Sequence, residues 1–283
     1  MKSSQSASKL VLDEYTRALI ERYLDSPTQA MMLTGAVGVG LSTIARTLGR
    51  QLAGANVVYL TPTLHNAQKT AIINADDIEY ITRIVRDKRS ERLVIIMDDI
   101  DHTAPGVFEY ILKIVEEPAP NVNYLFTTHH IANIPQTILS RTQVIDICQP
   151  SANACSSLLS GLDSVKSAQI MFLANRRPAS MCRLINNSSE FENAAKQIRI
   201  AKRFITGTID TRLALVAPYK DRSDVMQFVN MLAKLTEYIH QSGKVERDAK
   251  LADNLQLIST TASNIQANGN VKAQLLNLAM CYN

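Results

Sequence analysis

Five short apolar runs, rich in β-branched residues, alternate with helical patterns along the first half of the chain. Each run is too brief for a helix. Apolar residues at helical spacing occur before and between these runs, around 10–25, 42–53, 75–86 and 105–117. Apolar strands that alternate with helices predict a parallel sheet with helices on both faces. The five predicted strands are 30–35, 56–61, 92–99, 123–128 and 142–147.

The second half of the chain carries helical periodicity alone. The run 148–153 predicts a hinge, and a polar break follows at 186–189. Ser223 is a candidate helix cap, with Gly243 just after the end of that helix. We therefore expect three domains: 1–149 with the sheet, 150–187 as a small helical domain, and 188–283 as a helical bundle. The long helices of the bundle are predicted near 190–206, 224–241, 246–267 and 271–281.

Composition limits the class of protein. The chain has 283 residues, of which 46% are hydrophobic and 20% charged, as in a globular protein with a buried core. No segment has the roughly 20 apolar residues that span a bilayer, and the first ten residues lack a secretory signal. The 4 cysteines form no CxxC pair, so neither zinc nor a disulfide framework is expected. We expect a cytoplasmic protein with no membrane partner and no bound metal.

A glycine-rich segment follows the first predicted strand and precedes a helix. It contains Gly35, Gly38 and Gly40, followed by Leu41 and Ser42. Such a turn lets backbone N–H groups surround phosphates at a helix N-terminus. The phosphate-loop pattern requires a lysine where Leu41 stands, so the cation between the β- and γ-phosphates is missing. The sequence predicts a loop of the ancestral shape with little or no catalysis; a simple tight turn is the alternative.

Two carboxylates end the third predicted strand. In phosphate-loop ATPases the first acid holds Mg²⁺, and the next residue polarises the attacking water. Asp98 fits the first role, whereas Asp99 is one methylene shorter than the usual glutamate. Capping of the next helix is the alternative interpretation. His129 and His130 follow the fourth strand, and a structural role is expected for both rather than a shared metal.

A third group of motifs identifies a family resemblance. The run 111–118, ILKIVEEP, leads into the fourth strand, and 134–142 reads IPQTILSRT. In this order the motifs resemble the clamp-loader subunits of the AAA+ class in bacterial DNA polymerase III. The missing lysine at Leu41 is most similar to the delta-prime type. Thr142 replaces the cysteine of that family's Ser-Arg-Cys triplet, while Arg141 is kept.

The resemblance implies a fold, partners and site residues. The fold is a parallel αβα AAA+ domain, followed by a helical lid and a carboxy-terminal collar bundle for oligomerisation. The implied partners are ATPase subunits of the tau/gamma type, a delta subunit, the sliding clamp and, through the complex, primed DNA. Arg141 is implied as an arginine finger for a neighbour's ATP site, and Arg177 as the remnant of a lid arginine that senses ATP. No zinc module follows the loop helix, and no cofactor is expected.

Alternatives remain at the level of the sequence. An active AAA+ ATPase with a variant loop, of the helicase-loader or remodelling type, is the main rival; a pure scaffold is another. Arg141 could instead be a buried, structural arginine that pairs a carboxylate within its own domain. The stretch 171–222 carries ten Lys/Arg against four acids. It fits nucleic acid or neighbouring subunits, but also the solvated faces of ordinary helices.

Overall fold

The computed structural model describes residues 10–64, 71–86, 90–104, 106–241 and 249–282. The chain divides into two compact units between Asn186 and Asn187. None of the helices in these ranges is long and apolar enough to cross a membrane.

A parallel sheet forms the centre of the first unit. Within the described residues its five strands lie in the order β2-β3-β4-β1-β5, and every adjacent pair is parallel. The strands are β1 Ala30–Thr34, β2 Val57–Leu60, β3 Leu93–Met97, β4 Val122–Thr128 and β5 Gln143–Asp146. All five predicted strands are therefore confirmed, with ends shifted by up to two residues.

Helices cover both faces of the sheet, as the continuous apolar strands predict. Alternate residues of β1 enter different cores: Met32 packs on one face, Met31 and Leu33 on the other. The first core joins helices α3 Ala75–Arg86, α4 Val107–Glu116 and the short α5 Gln136–Leu139. The second joins α1 Glu14–Asp25 and α2 Leu41–Ala53.

The first unit ends in short helices where a small helical domain was predicted. Ser151 caps the first of them through a hydrogen bond from the Ala154 N–H. Asp163 caps the second in the same way, through the Lys166 N–H. These helices are α6 Ala152–Ser156, α7 Ser164–Ala174 and α8 Pro178–Asn186.

The second unit is a helical bundle. Its core contains Phe204 and Phe228, whose ring centroids lie 5.5 Å apart in a T-shaped arrangement. The helices are α9 Ser188–Thr206, α10 Ile209–Val216, α11 Arg222–Gln241, α12 Ala249–Gln266 and α13 Val271–Cys281.

Two details of the predicted bundle need correction. The Ser223 cap is wrong, because α11 begins at Arg222 and Ser223 lies inside its first turn. Helix α10 was not predicted; it has only eight residues and follows directly on Gly207 and Thr208. Gly243 lies outside the described residues.

Candidate functional site: a degenerate phosphate loop and an exposed arginine

The glycine segment forms the predicted loop between β1 and α2. Gly38 and Gly40 have φ of 92° and 101°, a region that favours glycine. Gly40 directly precedes α2, and Ser42 is half-buried in the first helical turn. The first N–H groups of any helix have no partner within it, so this end retains the donors of a phosphate loop.

Leu41 is part of the hydrophobic core. Its side chain is 1% exposed and packs in the cluster that contains Val39, Ile44 and Ile147. The position that carries a cation in an active phosphate loop therefore contributes to the apolar packing beneath α2. This packing explains how the chain uses the residue that the sequence pattern singled out.

The amino end of α8 covers the loop. The Gly38 carbonyl accepts hydrogen bonds from the N–H groups of Ala179 (3.0 Å) and Ser180 (3.2 Å). A Cβ at position 38 would lie 2.1 Å from the Ser180 Oγ. Arg177 donates from Nη1 to the Val37 carbonyl at 3.0 Å. Arg177, which the resemblance implies as the remnant of an ATP-sensing arginine, is thus bonded to the backbone of the loop.

The acids after β3 contact the neighbouring strand β4. Asp98 is 8% exposed and accepts a hydrogen bond of 2.5 Å from the Thr127 hydroxyl. The same hydroxyl oxygen accepts the Asp99 N–H at 2.9 Å. Burial raises the pKa of the Asp99 carboxyl, and the nearby Asp98 carboxylate raises it further, whereas His129 acts in the opposite direction.

His129 connects these acids to the loop. Its Nδ1 lies 2.7 Å from the Gly35 carbonyl oxygen, and its Nε2 lies 3.7 Å from Asp99 Oδ1. Because a carbonyl only accepts, Nδ1 carries the hydrogen in this contact. The structural role predicted for His129 agrees with these contacts. Among the described residues, no group of three or more His, Cys, Asp or Glu side chains could hold a metal ion.

An apolar cavity of about 290 Å³ adjoins the loop. It is large enough for a small aromatic ring, but its lining supplies no charged side chain. The loop offers backbone N–H groups to a phosphate but no lysine side chain, because the buried Leu41 stands at that position. The lining residues include Leu12, Val39, Thr43, Leu158 and Cys182.

Arg141 lies at the opposite edge of the sheet. The loop follows the carboxyl end of β1, whereas Arg141 precedes the amino end of β5, whose Gln143 is level with Met31. At ~3.3 Å per residue, Gln143 lies roughly 13 Å before Gly35 along the strands, and Arg141 precedes it in the turn after α5. The Arg141 guanidinium bonds at this amino edge, to Glu116 at the end of α4 and to the Thr137 carbonyl.

The Arg141 side chain is exposed and ion-paired. It is 42% exposed, and its Nη2 lies 2.9 Å from Glu116 Oε1. The sequence left open a buried arginine that pairs a carboxylate within the domain; the pair exists, but the arginine is not buried. The Glu116 contact was missed, because the motif 111–118 marks a family and says nothing of a side-chain partner.

Two arginines of the basic stretch 171–222 bond within the second unit. Arg212 is buried in the second unit and donates to the Phe204 and Tyr282 carbonyls. Arg222 donates to the Ile265 carbonyl and to Asn268 Oδ1. At least these two arginines stabilise the bundle, so the charge count overstates what is available to nucleic acid.

A glycine loop after β1 and an acid after β3 of a parallel sheet define a protein of the phosphate-loop class. Solved structures share the fold, among them two from Thermotoga maritima. A DNA polymerase III gamma subunit-related protein from Thermotoga maritima has a TM-score of 0.59 at 12% identity, covering 94% of this chain and 98% of that one. The RuvB Holliday junction branch migration motor of Thermotoga maritima has a TM-score of 0.50 at 13% identity, covering 72% and 80%. The predicted fold class is confirmed.

Sequence comparison narrows the class. Residues 60–151 match the family model described as DNA polymerase III, delta subunit. The gamma subunit of DNA polymerase III from Buchnera aphidicola subsp. Acyrthosiphon pisum (strain APS) is 26% identical over 130 residues, or 40% of this chain. The chain covers 36% of the length of that curated relative. The resemblance to clamp-loader subunits of the AAA+ class is confirmed.

Proposed function

We propose that this chain is a non-hydrolysing subunit of a bacterial sliding-clamp loader, of the delta-prime type, and that Arg141 acts on the ATP of a neighbouring subunit. One contrast carries the proposal. Arg141 is exposed at the amino edge of the sheet, whereas the loop, in which Leu41 has joined the core, lies at the carboxyl edge. An exposed arginine at the edge away from its own loop supports a role on a phosphate that another chain brings.

The partners follow from the same resemblance. ATPase subunits of the tau/gamma type would supply the intact site next to Arg141, and a delta subunit would join the same complex. That complex would act on the sliding clamp and on primed DNA. The three-domain division at 149/150 and 187/188, with the bundle as oligomerisation collar, is part of the proposal. The cytoplasmic location is also part of the proposal.

Reconstitution tests the assignment. The pure chain is mixed with tau/gamma-type and delta subunits of its host, and the product is weighed by native mass spectrometry. We expect one defined complex that contains this chain, and no ATP turnover by the chain alone. Failure to assemble would reject the clamp-loader assignment.

The rival interpretation has its own signature. An active AAA+ ATPase with a variant loop would turn over ATP as a pure chain and would bind labelled ATP at micromolar concentration. Asp98 and the hydroxyl of Thr127 at the strand ends are the features that favour this rival. The buried Leu41 and the α8 contacts at Gly38 oppose it.

A further inference from the structure

The guanidinium of Arg141 is held at three points on its own domain. Nη2 pairs with Glu116 Oε1 at 2.9 Å, and Nη1 donates to the Thr137 carbonyl at 3.0 Å and to the Ser140 Oγ at 3.2 Å. A guanidinium has five N–H donors. These contacts use three of them, so two remain for an incoming oxyanion.

Both partners of the ion pair stand on rigid supports. Glu116 is the last residue of α4, whose preceding residue Val115 is 8% exposed. Arg141 follows α5, in which Ile138 is fully buried in the same core as Val115. A carboxylate on one anchored helix end can therefore direct a long side chain that starts from another.

Helix stability does not explain a glutamate at position 116. The carboxyl end of a helix carries partial negative charge, so a carboxylate there is unfavourable. The Arg141 cation compensates for this charge. Arg141 is 42% exposed and Glu116 is 40% exposed. Such an exposed ion pair shifts the ratio of paired to unpaired conformations by no more than about fivefold. It can orient the arginine, but it cannot keep it from a triphosphate.

We propose that Glu116 is a positioning residue for Arg141: it holds the exposed guanidinium at the amino edge of the sheet, with two N–H donors left for a neighbour's phosphate. Glu116 touches neither ATP nor the reacting atoms and acts only through Arg141. The inference rests on the proposed function of Arg141. Loss of the Glu116 carboxylate disorders the Arg141 side chain and lowers kcat, whereas KM for ATP stays the same because the neighbour binds the nucleotide.

A double-mutant cycle tests the inference in the assembled complex. Four complexes carry the full chain as wild type, Glu116→Gln, Arg141→Ala or both, and kcat and KM for ATP are measured with saturating clamp and primed DNA. We expect Glu116→Gln to lower kcat two- to fivefold, with KM within twofold. In the Arg141→Ala background the same change has no further effect. Glu117→Gln, at the adjacent exposed glutamate, is the matched control and leaves kcat unchanged.

The outcomes separate the inference from the function it rests on. If Glu116→Gln lowers kcat equally in both backgrounds, Glu116 acts independently of Arg141, and the inference is overturned. A wild-type or increased kcat for Glu116→Gln in a complex that Arg141→Ala slows would also overturn it. If Arg141→Ala itself leaves kcat unchanged, the proposed function fails, and the inference fails with it. Thermal melts and native mass spectra confirm folding and assembly of each variant.

Discussion

Asp99 follows β3 in a left-handed conformation, with φ of 48°, beside Asp98 and 3.7 Å from His129. Burial is the main reason that its pKa is raised. A raised carboxyl pKa means that the folded protein binds a proton more readily than the unfolded chain. Stability from this group is thus fully present below the unfolded pKa, about 3.9, and is lost as pH rises through the folded value.

We therefore expect Asp99→Asn to stabilise the protein at pH 7. Asparagine keeps the shape, tolerates a positive φ and carries no charge to desolvate. The gain should shrink as the pH falls toward 4, because the wild-type carboxyl becomes increasingly protonated in the folded state. Melting temperatures at pH 7 and pH 4 measure it. Asp146→Asn, at an exposed carboxyl on β5, is the control, and an equal shift at both pH values would contradict the explanation.

A second prediction concerns substitutions at Leu41. Restoring the lysine with Leu41→Lys should not create an ATPase, because Asp99 stays too short and α8 still bonds to Gly38. Since Leu41 is 1% exposed, we expect the charge to destabilise the first unit by about 2 kcal/mol. Leu41→Met keeps the volume and should cost less than about 1.5 kcal/mol. Thermal melts and phosphate release measure both effects; fast turnover by Leu41→Lys would contradict the account.

At the scale of elements, Arg212 joins two helices and the chain end in the second unit. It lies in α10, is 8% exposed, and donates through Nε to the Phe204 carbonyl of α9 at 3.0 Å. Its guanidinium stands 5.0 Å from the ring centroid of Tyr282 and 5.8 Å from that of Phe204. Together with the buried Val216, Arg212 thereby holds a short helix that no sequence pattern marked.

We expect Arg212→Met to lower the stability of the second unit by about 2–3 kcal/mol. Methionine replaces the stem but leaves the carbonyls of Phe204 and Tyr282 without their donors. Urea unfolding followed by circular dichroism measures the loss. Arg199→Met, at an exposed position of α9, should change stability by less than about 0.5 kcal/mol. Similar effects from the two changes would show that the buried contacts of Arg212 carry no special weight.

The sequence predicted elements well where one physical signal dominated. Continuous apolar runs defined all five strands. Helix α10 escaped because eight residues give little periodicity. The start of α11 was misplaced because Arg222 is held by tertiary bonds to Ile265 and Asn268, which no local pattern reveals.

The site was predictable in part for a related reason. Loop and strand-end residues follow motifs, so Gly35 to Ser42 and Asp98 were located from the sequence. Contacts between distant segments have no such signal. The Ser180 hydroxyl against Gly38 and the Glu116–Arg141 pair join residues 142 and 25 positions apart in the sequence. Only the folded sheet brings them together.

At the scale of the whole molecule, two compact units each have their own core. The apolar residues along one side of α11 pack within the second unit: Val225, Phe228, Val229 and Leu232 are fully buried there. In the proposed complex, assembly would use residues that remain on the surface. We propose that the chain's part in catalysis lies with the exposed Arg141 at the edge of its sheet.

The ATPase rate of the assembled complex with Arg141→Ala tests that assignment most directly. Arg83→Ala is the control, since Arg83 is also exposed and pairs with a glutamate, Glu79, at 3.4 Å. Arginine fingers in trans contribute up to about 10³–10⁵ in rate, and a loader with several sites should lose less, on the order of tenfold. We predict that loss for Arg141→Ala, with normal assembly and melting temperature, and none for Arg83→Ala. An unchanged clamp- and DNA-stimulated ATPase in a correctly assembled Arg141→Ala complex would contradict the central claim and leave the chain as a scaffold.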